Sequence, residues 1–116
     1  MRILIVIPAR FNSTRLPGKP LKKICGKELI IRVIEACAPL LRKNIKIVVA
    51  TDDKKIFNLV NFFKFEALMT SKKCSTGTDR VADVSKKIKA DIYINVQGDE
   101  PLINADDIKK IIKAKI

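Results

Sequence analysis

The sequence predicts an α/β protein of Rossmann-like type, a parallel sheet with helices flanking it. Short β-branched runs alternate with longer stretches of helical period, and those runs are apolar on both faces. At 116 residues the chain is long enough for one buried core and too short for a second.

Residues 3–7 form a continuous apolar run that stops at Pro8, the pattern of a strand buried on both faces. Over 28–41, Ile30, Val33, Ile34, Cys37 and Leu41 recur at spacings of three or four, so one helix face is apolar, and Pro39 ends the helix nearby. Residues 45–50 make a second buried strand. Asp52 or Asp53 caps a helix with Ile56, Phe57, Val60 and Phe63 on one side. Residues 65–69 are a weaker third strand, 78–88 a helix with Val81, Val84 and Ile88 inward, and 92–96 a fourth strand. Asn104 caps a last helix carrying Ile108, Ile111 and Ile112. Such alternation requires parallel strands joined by right-handed crossovers. The chain runs out at Ala114-Lys115-Ile116, inside or just after a helix, with neither Gly nor Pro as a stop signal.

Composition narrows the chemistry. With 47% hydrophobic and 31% charged residues the chain reads as soluble and globular. The apolar stretch at 1–8 is broken by Arg2 and halted by Pro8, which suits neither a membrane span nor a signal-peptide core; a cytoplasmic protein is expected. Three cysteines without a C-x-x-C pair argue against a disulfide framework and a zinc site. Histidine is absent, which removes the commonest general base and metal ligand. Carboxylates, cations, hydroxyls and backbone groups remain, a set suited to phosphoryl or nucleotidyl transfer. The net charge of +12 raises a nucleic-acid reading. Yet Lys22, Lys43, Lys54, Lys72, Lys86 and Lys109 are scattered, no Arg-rich run occurs, and there is one tyrosine. A solvated lysine-rich surface is the expectation, with no nucleic-acid or membrane partner.

Ligands of open α/β sheets sit at the carboxyl ends of the strands, which directs attention to three loops. Residues 8–21 make a βα loop of unusual length. Ser13, Thr14 and backbone N–H groups can donate to phosphate, Pro17-Gly18 makes a tight turn, and Arg10, Arg15 and Lys19 supply positive charge. The alternative is an ordinary basic surface loop; neither a Walker A sequence nor G-x-G-x-x-G is present. In residues 75–80, Ser-Thr-Gly-Thr-Asp-Arg, Thr76 or Thr78 caps a helix. Gly77 would let a base or ribose approach the backbone, and Arg80 points to the same strand edge. Residues 95–101, Asn-Val-Gln-Gly-Asp-Glu-Pro, place Asp99 just past a buried strand, where it could hold Mg²⁺ against phosphates. A plain Gly-Asp turn is the alternative. At 51–53, Thr-Asp-Asp is read as helix capping.

In order and spacing these three segments resemble those of 3-deoxy-manno-octulosonate (KDO) cytidylyltransferases, which have the nucleotide-diphospho-sugar transferase type of fold, and the resemblance runs from Met1 to Ile116. Acylneuraminate cytidylyltransferases share the early P-A-R but lack R-L-P-G-K. Spore-coat polysaccharide relatives share R-L-P-G-K but lack Q-G-D-E-P. The resemblance implies transfer of CMP from CTP to KDO, or to an amino-substituted KDO, with release of pyrophosphate for lipopolysaccharide assembly. It implies Arg10, Lys19 and Asp99 as catalytic residues. Pro8, Ala9, Arg10, Ser13, Arg15, Lys19, Gly77, Arg80 and Gln97 become nucleotide-binding residues, and Asp99 the Mg²⁺ ligand. Family chains are about twice as long, so residues 1–116 are expected to be a nucleotide-binding half without its C-terminal half. A family homodimer, or a complementary C-terminal fragment, is the expected partner. Two other readings remain: a nucleotide-binding module without catalysis, and a nucleic-acid-binding protein.

Overall fold

A computed structural model describes residues 1–11, 18–74, 76–97, 106 and 108–110. In chain order its elements are β1 (Ile3–Pro8), a small hairpin of β2 (Lys23–Ile24) and β3 (Lys27–Glu28), α1 (Leu29–Cys37), β4 (Ile45–Thr51), α2 (Lys54–Phe62), β5 (Ala67–Met69), α3 (Gly77–Lys87) and β6 (Ile92–Asn95). Residues 106 and 108–110 are helical as well. Four strands form one parallel sheet in the order β5-β4-β1-β6.

All six residues of β1 are buried, because the strand is central and covered on both faces. Ile3, Ile5 and Ile7 point to the side occupied by α1, by Ile56 and Val60 of α2, and by Ile108. Leu4 and Val6 point the other way, where they meet Val48, Ala50 and Val84 of α3. This alternation explains the unbroken apolar run: each parity of side chain has its own helix layer. Truncating one of these isoleucines to alanine would cost about 2–5 kcal/mol.

The structure departs from the sequence expectations in four places. First, α1 stops at Cys37 and tightens into a 3₁₀ turn at Ala38–Leu40, since Pro39 has no N–H to continue the helix. Leu41 therefore lies past the helix face and is exposed. Second, β5 has three residues rather than five. Lys64 adopts φ 64°, and the N–H groups of Lys64 and Phe65 donate to Asn61 and Val60. That is the double bond of a Schellman C-cap, which takes up residues 64 and 65. Phe63 sits beside this cap, partly exposed, instead of facing the core with Ile56. Third, β2 and β3 were not foreseen. Cys25 and Gly26 have φ 53° and 83°, as a two-residue type I′ turn requires, and Arg32 ties the hairpin to α1 by donating to the carbonyls of Ile24 and Cys25. Fourth, α3 begins at Gly77, one residue earlier than expected, and of the two candidate caps Thr76 is the one used. Of the last helix, Ile108 is buried as expected; Asn104, Ile111 and Ile112 lie outside the described residues.

The three cysteines are free thiols. Burial pushes the Cys37 thiol up to about 11, which makes it an apolar core group without reactivity.

Candidate functional site

The carboxyl ends of β1, β4 and β5 converge on one edge of the sheet. β1 is extended by one bond beyond Pro8, from Ala9 N–H to the Ala50 carbonyl at 2.9 Å, and the chain then turns outward at an exposed Arg10. β4 ends at buried Thr51, whose carbonyl accepts from Thr70 N–H at 2.8 Å, aligning the end of β5 with it. Two helices begin at the same edge. The Asp53 carboxylate accepts from Ile56 N–H at 3.0 Å and starts α2. The Thr76 hydroxyl accepts from Asp79 N–H at 3.0 Å and starts α3. Both helix N-termini turn their partial positive charge to this edge, as anion sites in α/β proteins do.

Between these strand ends lies a recess of about 240 Å³ lined by Arg10, Phe11, Asp52, Asp53, Lys72 and Cys74. Phe11 forms part of its wall and also closes the base of the first loop. Its carbonyl accepts from Gly18 N–H at 2.6 Å, and Lys55 of α2 holds its ammonium 5.7 Å from the ring centroid. Gly18, at φ 74°, lies so close that a Cβ there would stand 3.1 Å from Cε2 of Phe11. The next residue, Lys19, opens the half-buried 3₁₀ turn Lys19–Leu21.

The loop from β5 to α3 is held by one face of α3. Arg80 Nη1 donates to Thr70 Oγ1 at 2.6 Å and Nη2 to the Cys74 carbonyl at 3.2 Å. Asp83 accepts from Ser71 N–H at 3.1 Å, and Lys87 donates to the Met69 carbonyl at 3.0 Å. Arg80, Asp83 and Lys87 are spaced three and four apart, so they line up along the helix. The Ser71 hydrogen bond, only partly opposed by desolvation and assisted by Lys87, holds the Asp83 carboxyl below its ordinary value.

Two other recesses open at the amino ends of the strands. One of about 270 Å³ is lined largely by apolar groups, among them Ile34, Leu41, Ile45 and Phe65. The other, about 160 Å³, is bordered by Arg2, Lys43, Lys46 and Lys89. The second adjoins the C-terminus of α3, where cations complement the helix dipole and an anion would oppose it. Neither is lined by strand carboxyl ends or by a helix N-terminus among the described residues, so the carboxyl edge is the stronger site.

Of the residues singled out from sequence, Pro8, Ala9 and Arg10 sit at the end of β1, Lys19 beside the loop base, and Gly77 and Arg80 on α3. Gln97 is exposed just beyond β6, the strand that flanks β1. Of these, Arg10 lines the recess itself. Pro8 has no N–H and that of Ala9 is committed to Ala50, so neither offers a backbone donor at this edge. Arg80 is 2% exposed and stands behind the recess. Ser13, Arg15 and Asp99 lie outside the described residues. Asp52, Lys72 and Cys74 were not anticipated as lining. For Asp52 a signal existed: two successive carboxylates follow β4 where one suffices as a cap. Among the described residues, no group of three or more acidic or cysteine side chains is placed to hold a metal.

The profile of a family described as Cytidylyltransferase matches residues 4–115. The 3-deoxy-manno-octulosonate cytidylyltransferase of Pseudoalteromonas translucida is 45% identical over 115 residues, covering 96% of this chain and 44% of that protein. The Escherichia coli protein of the same name is 44% identical over 112 residues, covering 97% of this chain and 45% of that one. A solved structure of CMP:2-keto-3-deoxy-manno-octonic acid synthetase complexed with CTP matches with a TM-score of 0.92 at 43% identity, over 98% of this chain and 47% of that one. The chain thus spans less than half the length of these relatives.

Proposed function

The chain belongs to the cytidylyltransferase family, and on that premise we propose that residues 1–116 form the nucleotide-binding half of an enzyme that transfers CMP from CTP to 3-deoxy-D-manno-octulosonate. The observation that carries this reading is the recess at the carboxyl edge, with Arg10 and Lys72 in its lining and two helix N-termini beside it. The backbone match to a synthetase solved with CTP supports the choice of nucleotide.

In this reading the anomeric hydroxyl of the sugar attacks the α-phosphorus of CTP and pyrophosphate leaves. The chain's task is to hold the triphosphate in place and spread its charge. Arg10 grips phosphate oxygens through its planar fork and Lys19 acts as a point charge, with Ser13 and Arg15 beside them. Pro8, Ala9 and Gly77 bring backbone against the nucleoside, and Gln97 lies near it. The donor set fits a Mg²⁺ that arrives on the phosphates better than one caged by protein. The Asp53 carboxylate is engaged by Ile56 N–H and that of Asp52 by Arg80; the carboxylate partner in this reading is Asp99, as the resemblance implies. Bound there, Mg²⁺ supplies charge neutralisation on the triphosphate. The same reading places the protein in the cytoplasm and in lipopolysaccharide biosynthesis, as a homodimer or joined to a complementary C-terminal fragment.

Calorimetric titration of the chain with CTP, ATP, GTP and a mixed-sequence oligonucleotide, each with Mg²⁺, tests the proposal. CTP is expected to bind about tenfold more tightly than the purine triphosphates, a difference of about 1.4 kcal/mol. Equal affinity for all three, or tighter binding of the oligonucleotide, would contradict it.

A further inference from the structure

We infer that Arg80 is a positioning residue for the nucleotide, which cancels the charge of Asp52 from behind the recess and braces residues 70–74, so that the recess accepts an anion. This rests on the nucleotide site proposed above and adds a role that direct contact with the ligand does not describe.

The charges around the recess make the case. Among its described lining residues, Arg10 and Lys72 are opposed by Asp52 and Asp53, so the lining by itself has no net attraction for a triphosphate. Asp53 is turned to α2, where its carboxylate serves as the cap. Asp52 caps nothing, and its Oδ2 lies 3.6 Å from Arg80 Nη2. That separation is an ion pair without a tight hydrogen bond. The short bonds of the guanidinium go instead to Thr70 Oγ1 and the Cys74 carbonyl. Arg80 therefore neutralises Asp52 while holding the end of β5 and the lining segment that carries Lys72 and Cys74. Its side chain is 2% exposed against 20% for Asp52, so the cation is withdrawn from solvent while its carboxylate partner borders the ligand space. Desolvation strengthens that pairing relative to a surface ion pair. Lys55, near Phe11, adds positive charge on the same side but touches neither partner of the pair.

A buried ion pair kept only for stability and a charge-setting pair predict different outcomes when Asp52 is changed. CTP affinity would be measured by calorimetry for wild type, Arg80→Met, Asp52→Asn and the double variant, with thermal melts recording the fold of each. Arg80→Met leaves the Asp52 carboxylate uncompensated beside the triphosphate, and affinity should fall about tenfold or more. Adding Asp52→Asn to it should recover the part of that loss that comes from charge, because the repelling carboxylate is gone, and leave the part that comes from the lost brace. Asp52→Asn alone should bind CTP at least as tightly as wild type. Wild-type affinity in Arg80→Met, or a double variant no better than Arg80→Met, would overturn the inference. Should Arg80→Met fail to fold, Asp52→Asn decides: much weaker CTP binding in that variant, with its fold intact, would overturn the inference as well. A wild-type chain that binds no CTP would sink the proposed function and this role with it. CTP binding without coupling between residues 80 and 52 would sink this role alone.

Discussion

Gly18 and Phe11 define the base of the first loop, and neither could be replaced freely. A side chain at Gly18 meets the Phe11 ring at 3.1 Å and must also adopt φ 74°. Gly18→Ala is therefore expected to destabilise the protein by about 1–2 kcal/mol through backbone strain and the displaced ring. Urea denaturation measures this, and a variant as stable as wild type would show that the loop base is less closely packed than described. At this scale the sequence was informative where chemistry is local. Gly18, read as a turn residue, takes φ 74°, and acid and hydroxyl residues ahead of helical periods marked Asp53 and Thr76 as caps in waiting. It was silent on Phe11 and Lys72, whose roles depend on loops distant in sequence. It showed Arg80 directed at the strand edge but not that the guanidinium is spent inside the protein, since Thr70 and Asp52 reach it only when β4 and β5 are paired.

The face of α3 that carries Arg80, Asp83 and Lys87 governs the loop 70–74, and its middle member titrates. Asp83 has its folded pKa lowered. Its stabilising effect is therefore complete above the carboxylate range and fades as pH falls through that range towards the folded value. Amide exchange of Ser71 and its neighbours should accelerate on acidification relative to the β1 amides, and Asp83→Asn should show a smaller acid dependence. An acid response unchanged by Asp83→Asn would remove Asp83 from the account. Element existence and type were largely legible, because β1 and β4 are apolar runs buried on both faces while α1 and α3 carry helical periodicity. The short elements were not. The hairpin β2–β3 places Cys25 at a φ > 0 position where Asn or Asp is the usual signal. The Schellman cap after α2 uses Lys64 in place of Gly, so the strand after it was read two residues too long.

For the molecule as a whole, the alternating pattern implied parallel strands and crossovers but not which strands are neighbours. The order β5-β4-β1-β6 puts the most apolar strand in the centre and brings Arg10, Asp52, Lys72 and Gln97 to the carboxyl edge from four separate stretches of chain. Among the described residues β6 pairs with β1 alone. The relatives are more than twice as long as the matched region, and nucleotide binding is the step that can be tested on this chain directly. The most direct test is to titrate the ¹⁵N-labelled chain with CTP and Mg²⁺ and follow its amide resonances. The account predicts shifts concentrated at Ala9–Phe11, Gly18–Lys19, 72–74, Thr76–Gly77 and Gln97, all at the carboxyl edge. Shifts concentrated instead around Arg2, Lys43, Lys46 and Lys89 at the opposite edge, or none at saturating CTP, would contradict it.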